Sequence, residues 1–119
     1  WLNDGKYNGN QVIPSAYVKA AMSSQMIITG KFPKNTDPST FMNNYGYGWF
    51  VKSYKGHYRA SHGGSIEGFT AEITLFPTDN LGIVILTNQN QLLLDGQNLF
   101  LFFLRSLNDA FLYNKSLEK

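Results

Sequence analysis

The stretch His62-Gly63-Gly64-Ser65-Ile66-Glu67-Gly68-Phe69 holds the residue types best suited to chemistry. A titratable ring ends one strand-like run, two glycines follow, and a third glycine precedes the next run. Glycine carries no Cβ, so a ligand or a second backbone can approach closely. Main-chain N–H groups beside it are then free to point at a ligand, and such donors stabilise negative charge developing on a carbonyl oxygen. A neighbouring histidine can donate a hydrogen bond or, when protonated, attract a carboxylate. On spacing alone the plainer reading stands beside this one: a glycine-rich hairpin with one surface histidine.

Other candidates have ordinary explanations. Glu67 sits beside the glycines and could act as an acid or base, but a lone carboxylate in a turn is usually solvated. His57 follows the Lys55-Gly56 turn and is expected in solvent. Tyr47 and Trp49 could wall a pocket, although aromatic alternation on a strand is mostly core. Asp79 reads as a turn residue. The Gly-x-x-x-x-Gly-Lys spacing of a phosphate loop is absent. Gly64 and Gly68 match Gly-x-x-x-Gly, but in no membrane helix.

Composition narrows the classes. The sequence has 119 residues, enough for one domain or part of one. Its net charge is +2, and Arg59 and Arg105 are far apart, so no basic stripe points to nucleic acid. Cysteine is absent, which removes disulfides, thiol catalysis and Cys-based zinc sites. His57 and His62 are the only histidines, and no metal-ligand spacing is visible. Neither a metal nor a cofactor is expected. The greasy run Leu99 to Leu104 is too short to span a bilayer. Trp1-Leu2-Asn3-Asp4-Gly5 reads as the last turn of a helix whose earlier part is missing, with a processed terminus as the alternative.

The elements that must position the glycine stretch follow from pattern. Pro14 and Ser15 open a short helix over roughly residues 15–24, with Ser15 as a cap and Val18, Ala21 and Met22 at helical spacing. Residues 30–44 read as a polar loop. Four strand-like runs come next: Tyr45 to Tyr54, His57 to His62, Phe69 to Phe76 and Leu81 to Thr87. In the first, Tyr45, Tyr47, Trp49 and Val51 would share one face. Lys55-Gly56 and Pro77-Thr78-Asp79-Asn80 are turn signals, and such short connections make the pairing antiparallel. The run Leu81 to Thr87 is apolar on both faces, as in a strand buried between layers. A helix from about Gly96 to Tyr113, capped by Asp95, would present Leu99, Phe100, Phe103, Leu104, Leu107 and Phe111 to a sheet. The two-sided strand and this broad helix face imply a further covering layer: upstream chain outside this sequence, or a dimer partner.

Tyr45-Gly46-Tyr47-Gly48-Trp49, His62-Gly63-Gly64, Gly68-Phe69, Phe76-Pro77 and Leu81 through Asn88 together resemble the C-terminal half of the β-lactamase-like serine hydrolases. That superfamily includes penicillin-binding proteins, class C β-lactamases, D-alanyl-D-alanine carboxypeptidases, D-aminopeptidases and esterases. The order and spacing of all five blocks match over residues 45–88. A weaker likeness covers residues 1–24, and residues 89–119 match only as the expected final helix. The resemblance implies that His62-Gly63-Gly64 is the family's third motif in its His-x-Gly form, on a strand lining the active site. His62, Gly63, Gly64 and Ser65 would bind substrate, and the backbone amide of Ser65 would be one of two oxyanion donors. His62 would contact the substrate's carboxylate or carbonyl end. The strand edge at Gly64–Ile66 could pair with a peptide-like substrate.

The family's nucleophile lies in Ser-x-x-Lys, and no credible copy occurs here. Ser116-Leu117-Glu118-Lys119 has the letters but ends the chain, and Ser106-Leu107-Asn108 reads as helix surface rather than a Ser-x-Asn motif. The expected fold is α+β: a four-stranded antiparallel sheet, a C-terminal helix packed on it and a short N-terminal helix, an incomplete β-lactamase/transpeptidase-like domain. Residues 1–119 would form one unit. In it, 1–44 would be the end of a helical region and a loop, 45–88 the strands and 95–113 the helix. The implied function is one segment of an acyl-serine hydrolase acting on D-amino acid amides, β-lactams or esters, silent by itself. The alternative is a non-catalytic module binding a peptide or partner chain. The resemblance further implies a bacterial protein with an extracytoplasmic location: periplasmic, secreted or in the cell envelope.

Overall fold

The computed structural model describes residues 1–28, 40–89, 93–94 and 97–117. The elements in chain order are β1 (Lys6–Tyr7), β2 (Asn10–Gln11), α1 (Ser15–Ala21), β3 (Met26–Ile27), β4 (Thr40–Tyr45), β5 (Phe50–Tyr54) and β6 (His57–Ile66). They continue with β7 (Phe69–Phe76), a 3-10 turn (Pro77–Asp79), β8 (Leu81–Thr87), β9 (Leu93–Leu94), β10 (Gln97–Asn98) and α2 (Leu99–Leu117). The protein is therefore α+β, as the pattern implies. Its main sheet, however, has six strands in the order β3-β4-β5-β6-β7-β8 rather than four.

The extra strands come from two places that composition hides. The short β3 pairs with the end of β4, Met26 opposite Tyr45. The run read as one strand from Tyr45 to Tyr54 is in fact a hairpin, with Tyr45 opposite Phe50 and Gly46–Trp49 as its turn. Gly48 takes φ +78, and the Gly46 amide donates to the Trp49 carbonyl at 2.8 Å. Gly46 is glycine for steric reasons: a Cβ there would land on the Ala21 carbonyl oxygen at the end of α1. Tyr45, Tyr47, Trp49 and Val51 thus do not share a face. Trp49 and Val51 are buried, whereas Tyr47 is exposed. The polar loop expected to run to residue 44 gives way to strand at Thr40, and residues 29–39 lie outside the described residues.

The other turns form where their residues demand. Lys55-Gly56 and Asn8-Gly9 both have positive φ at two successive positions, the type I′ geometry that matches the twist of flanking strands. Asn80 closes the 3-10 turn in the left-handed region. β7 and β8 span the residues the alternation indicates.

The chain forms two compact units. The first comprises Trp1–His62 with Thr74–Gly82. Its core holds Val18, Ala21, Met22, Trp49, Val51, Tyr54, Ala60, Leu75 and Phe76. Fully burying an aliphatic or aromatic side chain contributes about 1.5–3 kcal/mol, so α1 is held by its inward face. Ser15 does not cap that helix: Pro14 occupies the cap position with no side-chain bond. The Tyr58 hydroxyl donates to the Met22 carbonyl just past the helix. Burial pushes the Tyr58 phenol above its ordinary value of 10.0.

The second unit comprises Gly63–Ile73 with Ile83–Lys119. Here β8 is not buried on both sides. Ile83 is buried, but Val84 and Leu86 are 61% and 75% exposed, so one face of this edge strand is open. Helix α2 starts at Leu99 and runs to Leu117 rather than from Gly96 to Tyr113, and the expected Asp95 cap lies outside the described residues. Of the expected apolar face, the side chains of Leu99, Phe100, Phe103 and Leu104 lie outside the described residues. Asn108 and Leu112 are buried, one helical turn apart, while Leu107 and Phe111 are exposed. Asn108 is not surface at all: it is 1% exposed, and both amide atoms lack a hydrogen-bond partner among the described residues.

Candidate functional site

The type I′ turn at Lys55-Gly56 fixes how β6 faces its neighbours. In a two-residue hairpin the flanking pair, Tyr54 and His57, exchanges both hydrogen bonds. The pattern repeats every second residue, so the amides of His57, Arg59 and Ser61 turn toward β5. The register with β5 ends at Phe50 opposite Ser61, yet β6 continues to Ile66. By the same period the amides of Gly63 and Ser65 point to that edge, past the last residue paired with β5. Two successive odd-numbered donors thus extend beyond the ladder that satisfies their predecessors.

The glycines differ in what surrounds them. Nothing lies within 4 Å of a Cβ built on Gly64, and its backbone is not in the left-handed region. The space beside it is open, and the chain conformation does not require glycine there. At Gly63 a Cβ would land on the Glu72 carboxylate, which lies across from it in the β6–β7 hairpin. Glu72 is half-buried and belongs to no motif; its sequence signal is the missing side chain opposite it at Gly63.

Ser65 turns its hydroxyl to its own hairpin. Oγ donates to the Phe69 carbonyl at 3.3 Å and lies 3.4 Å from Thr70 Oγ1. The hydroxyl is thus occupied locally, and the strand period turns the backbone amide to the β5 side of β6. Glu67 is exposed in the two-residue connection to β7, with Gly68 at φ +83. His62, the last residue of the first unit, is exposed. Its ring stacks on Phe50, centroids 5.8 Å apart and planes at 24°. Tyr45 stands edge-on to Phe50 at 4.9 Å and lies 6.4 Å from His62. Gly46 and Gly48, two glycines in three residues, are the sequence signal for the turn that places Phe50 opposite Tyr45.

His62, Gly63, Gly64 and Ser65 are consecutive on β6. The remaining candidates lie elsewhere. His57 is not a solvated turn residue: its Nδ1 lies 2.9 Å from Asp79 Oδ2, and the Asp79 side chain is almost wholly buried. Asp79 is therefore more than a turn former. Ser106 is exposed on α2, Ser116 falls in its last turn, and Lys119 lies outside the described residues. Among the described residues no group of three histidine or carboxylate side chains could hold a metal ion. No helix among them is long and apolar enough to cross a membrane.

Compared with known families, residues 13–101 match the model described as Beta-lactamase. No curated protein and no solved structure matches the chain.

Proposed function

Because the chain belongs to the beta-lactamase family, we propose that β6 forms one wall of an acyl-transfer site whose serine nucleophile lies elsewhere in the full-length protein. The Ser65 amide serves as an oxyanion donor. Gly64 leaves room for the substrate, and His62 binds the substrate's carbonyl or carboxylate end. In the reaction the serine oxygen attacks the carbonyl carbon of an amide, lactam or ester. The C–N or C–O bond breaks, the leaving group departs with a proton, and water then hydrolyses the acyl ester. Negative charge gathers on the carbonyl oxygen at each addition, which is where a fixed amide donor contributes most.

What supports this reading is the strand period, which turns the Gly63 and Ser65 amides beyond the β5 register, beside a position open on its side-chain face. The test treats the full-length gene product with a fluorescent penicillin and, separately, with a serine-directed phosphonate, then maps the labelled peptide by mass spectrometry. The expected adduct sits on a serine outside residues 1–119. A label on Ser65, Ser106 or Ser116 would contradict the assignment. Absence of any label with either reagent favours a non-catalytic module that binds a peptide or partner chain.

A further inference from the structure

An exposed histidine on a strand ordinarily samples several rotamers, and ordering it costs entropy. His62 is exposed, yet its ring lies nearly parallel to Phe50 at 5.8 Å, and Phe50 is itself braced edge-on by Tyr45 at 4.9 Å. The bracing follows from register: Tyr45 and Phe50 are direct cross-strand partners on β4 and β5, on either side of the Gly46–Trp49 turn. The Lys52 ammonium lies 5.8 Å from the Phe50 ring centroid, adding a cation contact to the same ring. Phe50 is 37% exposed, so its ring is reachable by the His62 side chain.

On the reading of His62 given above, we infer that Phe50 is a positioning residue: its ring, held by Tyr45, fixes the plane of the His62 imidazole so that the side chain meets substrate in one orientation. Phe50 acts through His62 and touches no reacting atom. Aromatic pairs of this kind favour one arrangement by about two- to tenfold. Loss of the ring therefore lowers kcat/KM by about that factor.

The test is a double-mutant cycle in the full-length gene product, assayed with a chromogenic cephalosporin and a p-nitrophenyl ester. Circular dichroism checks that each variant is folded. Phe50→Ala is expected to lower kcat/KM about two- to tenfold, with Phe50→Tyr and Phe50→Trp restoring it. In a His62→Ala background the same Phe50→Ala change is expected to have no further effect. Equal losses in both backgrounds overturn the positioning role and leave the reading of His62 intact. A His62→Ala variant as active as the parent overturns both. Proton NMR supplies a readout independent of turnover. The His62 ring protons, assigned by their loss in His62→Ala, are expected upfield in the parent and in Phe50→Tyr, and to move downfield in Phe50→Ala. Unchanged shifts in Phe50→Ala overturn the stacking itself.

Discussion

Nδ1 of His57 lies 2.9 Å from Oδ2 of Asp79, joining the first residue of β6 to the turn that follows β7. Thr78 Oγ1 adds a second contact to the same carboxylate oxygen at 3.2 Å. The carboxylate is buried, so removing its partners or the group itself exposes a desolvation cost. Asp79→Ala is expected to destabilise the protein by about 1–3 kcal/mol, read as a lower urea midpoint. Catalytic constants of the full-length product carrying Asp79→Ala should match those of its parent, since His57 and Asp79 lie outside the glycine stretch.

Gly46 and Gly64 are chemically identical and should respond in opposite ways. An alanine at Gly46 drives its methyl into the Ala21 carbonyl, a backbone atom that cannot rotate aside. About 1–3 kcal/mol of destabilisation is expected from such overpacking. An alanine at Gly64 meets nothing. Its denaturation midpoint should be unchanged within about 0.5 kcal/mol, while kcat/KM of the full-length product falls because the methyl takes the substrate's space. A Gly64→Ala variant with parental kinetics would count against substrate lying there.

The Ser65 main chain and side chain can be separated by two substitutions. In the full-length product Ser65→Ala keeps the amide and should retain activity, because the hydroxyl contacts Phe69 and Thr70 of its own hairpin. Ser65→Pro removes the N–H, and proline is tolerated on strand edges where no ladder bond is lost. Loss of one oxyanion donor lowers kcat by about 10²–10³-fold. Steady-state kinetics on folded Ser65→Pro protein gives the comparison. Equal activity in the two variants would show that the amide carries no catalytic charge.

Tyr58 predicts an alkaline weakness. Burial raises its phenol above 10.0, so the folded chain holds the proton more tightly than the unfolded one. The stability tied to that proton is complete below pH 10 and declines as pH rises from there through the higher folded value. Ionisation also removes the hydrogen bond to the Met22 carbonyl. Tyr58→Phe should lose about 0.5–1.5 kcal/mol at neutral pH and show a shallower fall in Tm above pH 10. A parallel fall in parent and variant would assign the alkaline loss to other groups.

Asn108 offers a gain rather than a loss. Its amide is buried in the second unit with neither atom bonded among the described residues. Asn108→Leu replaces an unsatisfied polar group with an apolar one of similar size, and about 1 kcal/mol of added stability is expected. Denaturant titration of the chain reads it directly; a destabilised variant would mean that the amide has a partner in solution.

The sequence by itself determined what depends on near neighbours. The Lys55-Gly56 and Asn8-Gly9 turns follow from glycine's access to positive φ beside a residue that tolerates it. The limits of β7 and β8 follow from alternation cut off by Pro77 and Asn80, and the five spaced blocks suffice to mark the family. Only the tertiary structure decided the relationships between distant residues. Gly46 breaks the apparent Tyr45–Tyr54 strand because α1 ends against it. His57 meets Asp79 across a separation of 22 residues. His62 finds Phe50 because the β5 register stops at Ser61, and Asn108 turns inward while Leu107 stays exposed. Local patterns fix backbone angles one or two residues at a time. Close approach, pairing and burial arise only when the chain has folded back on itself.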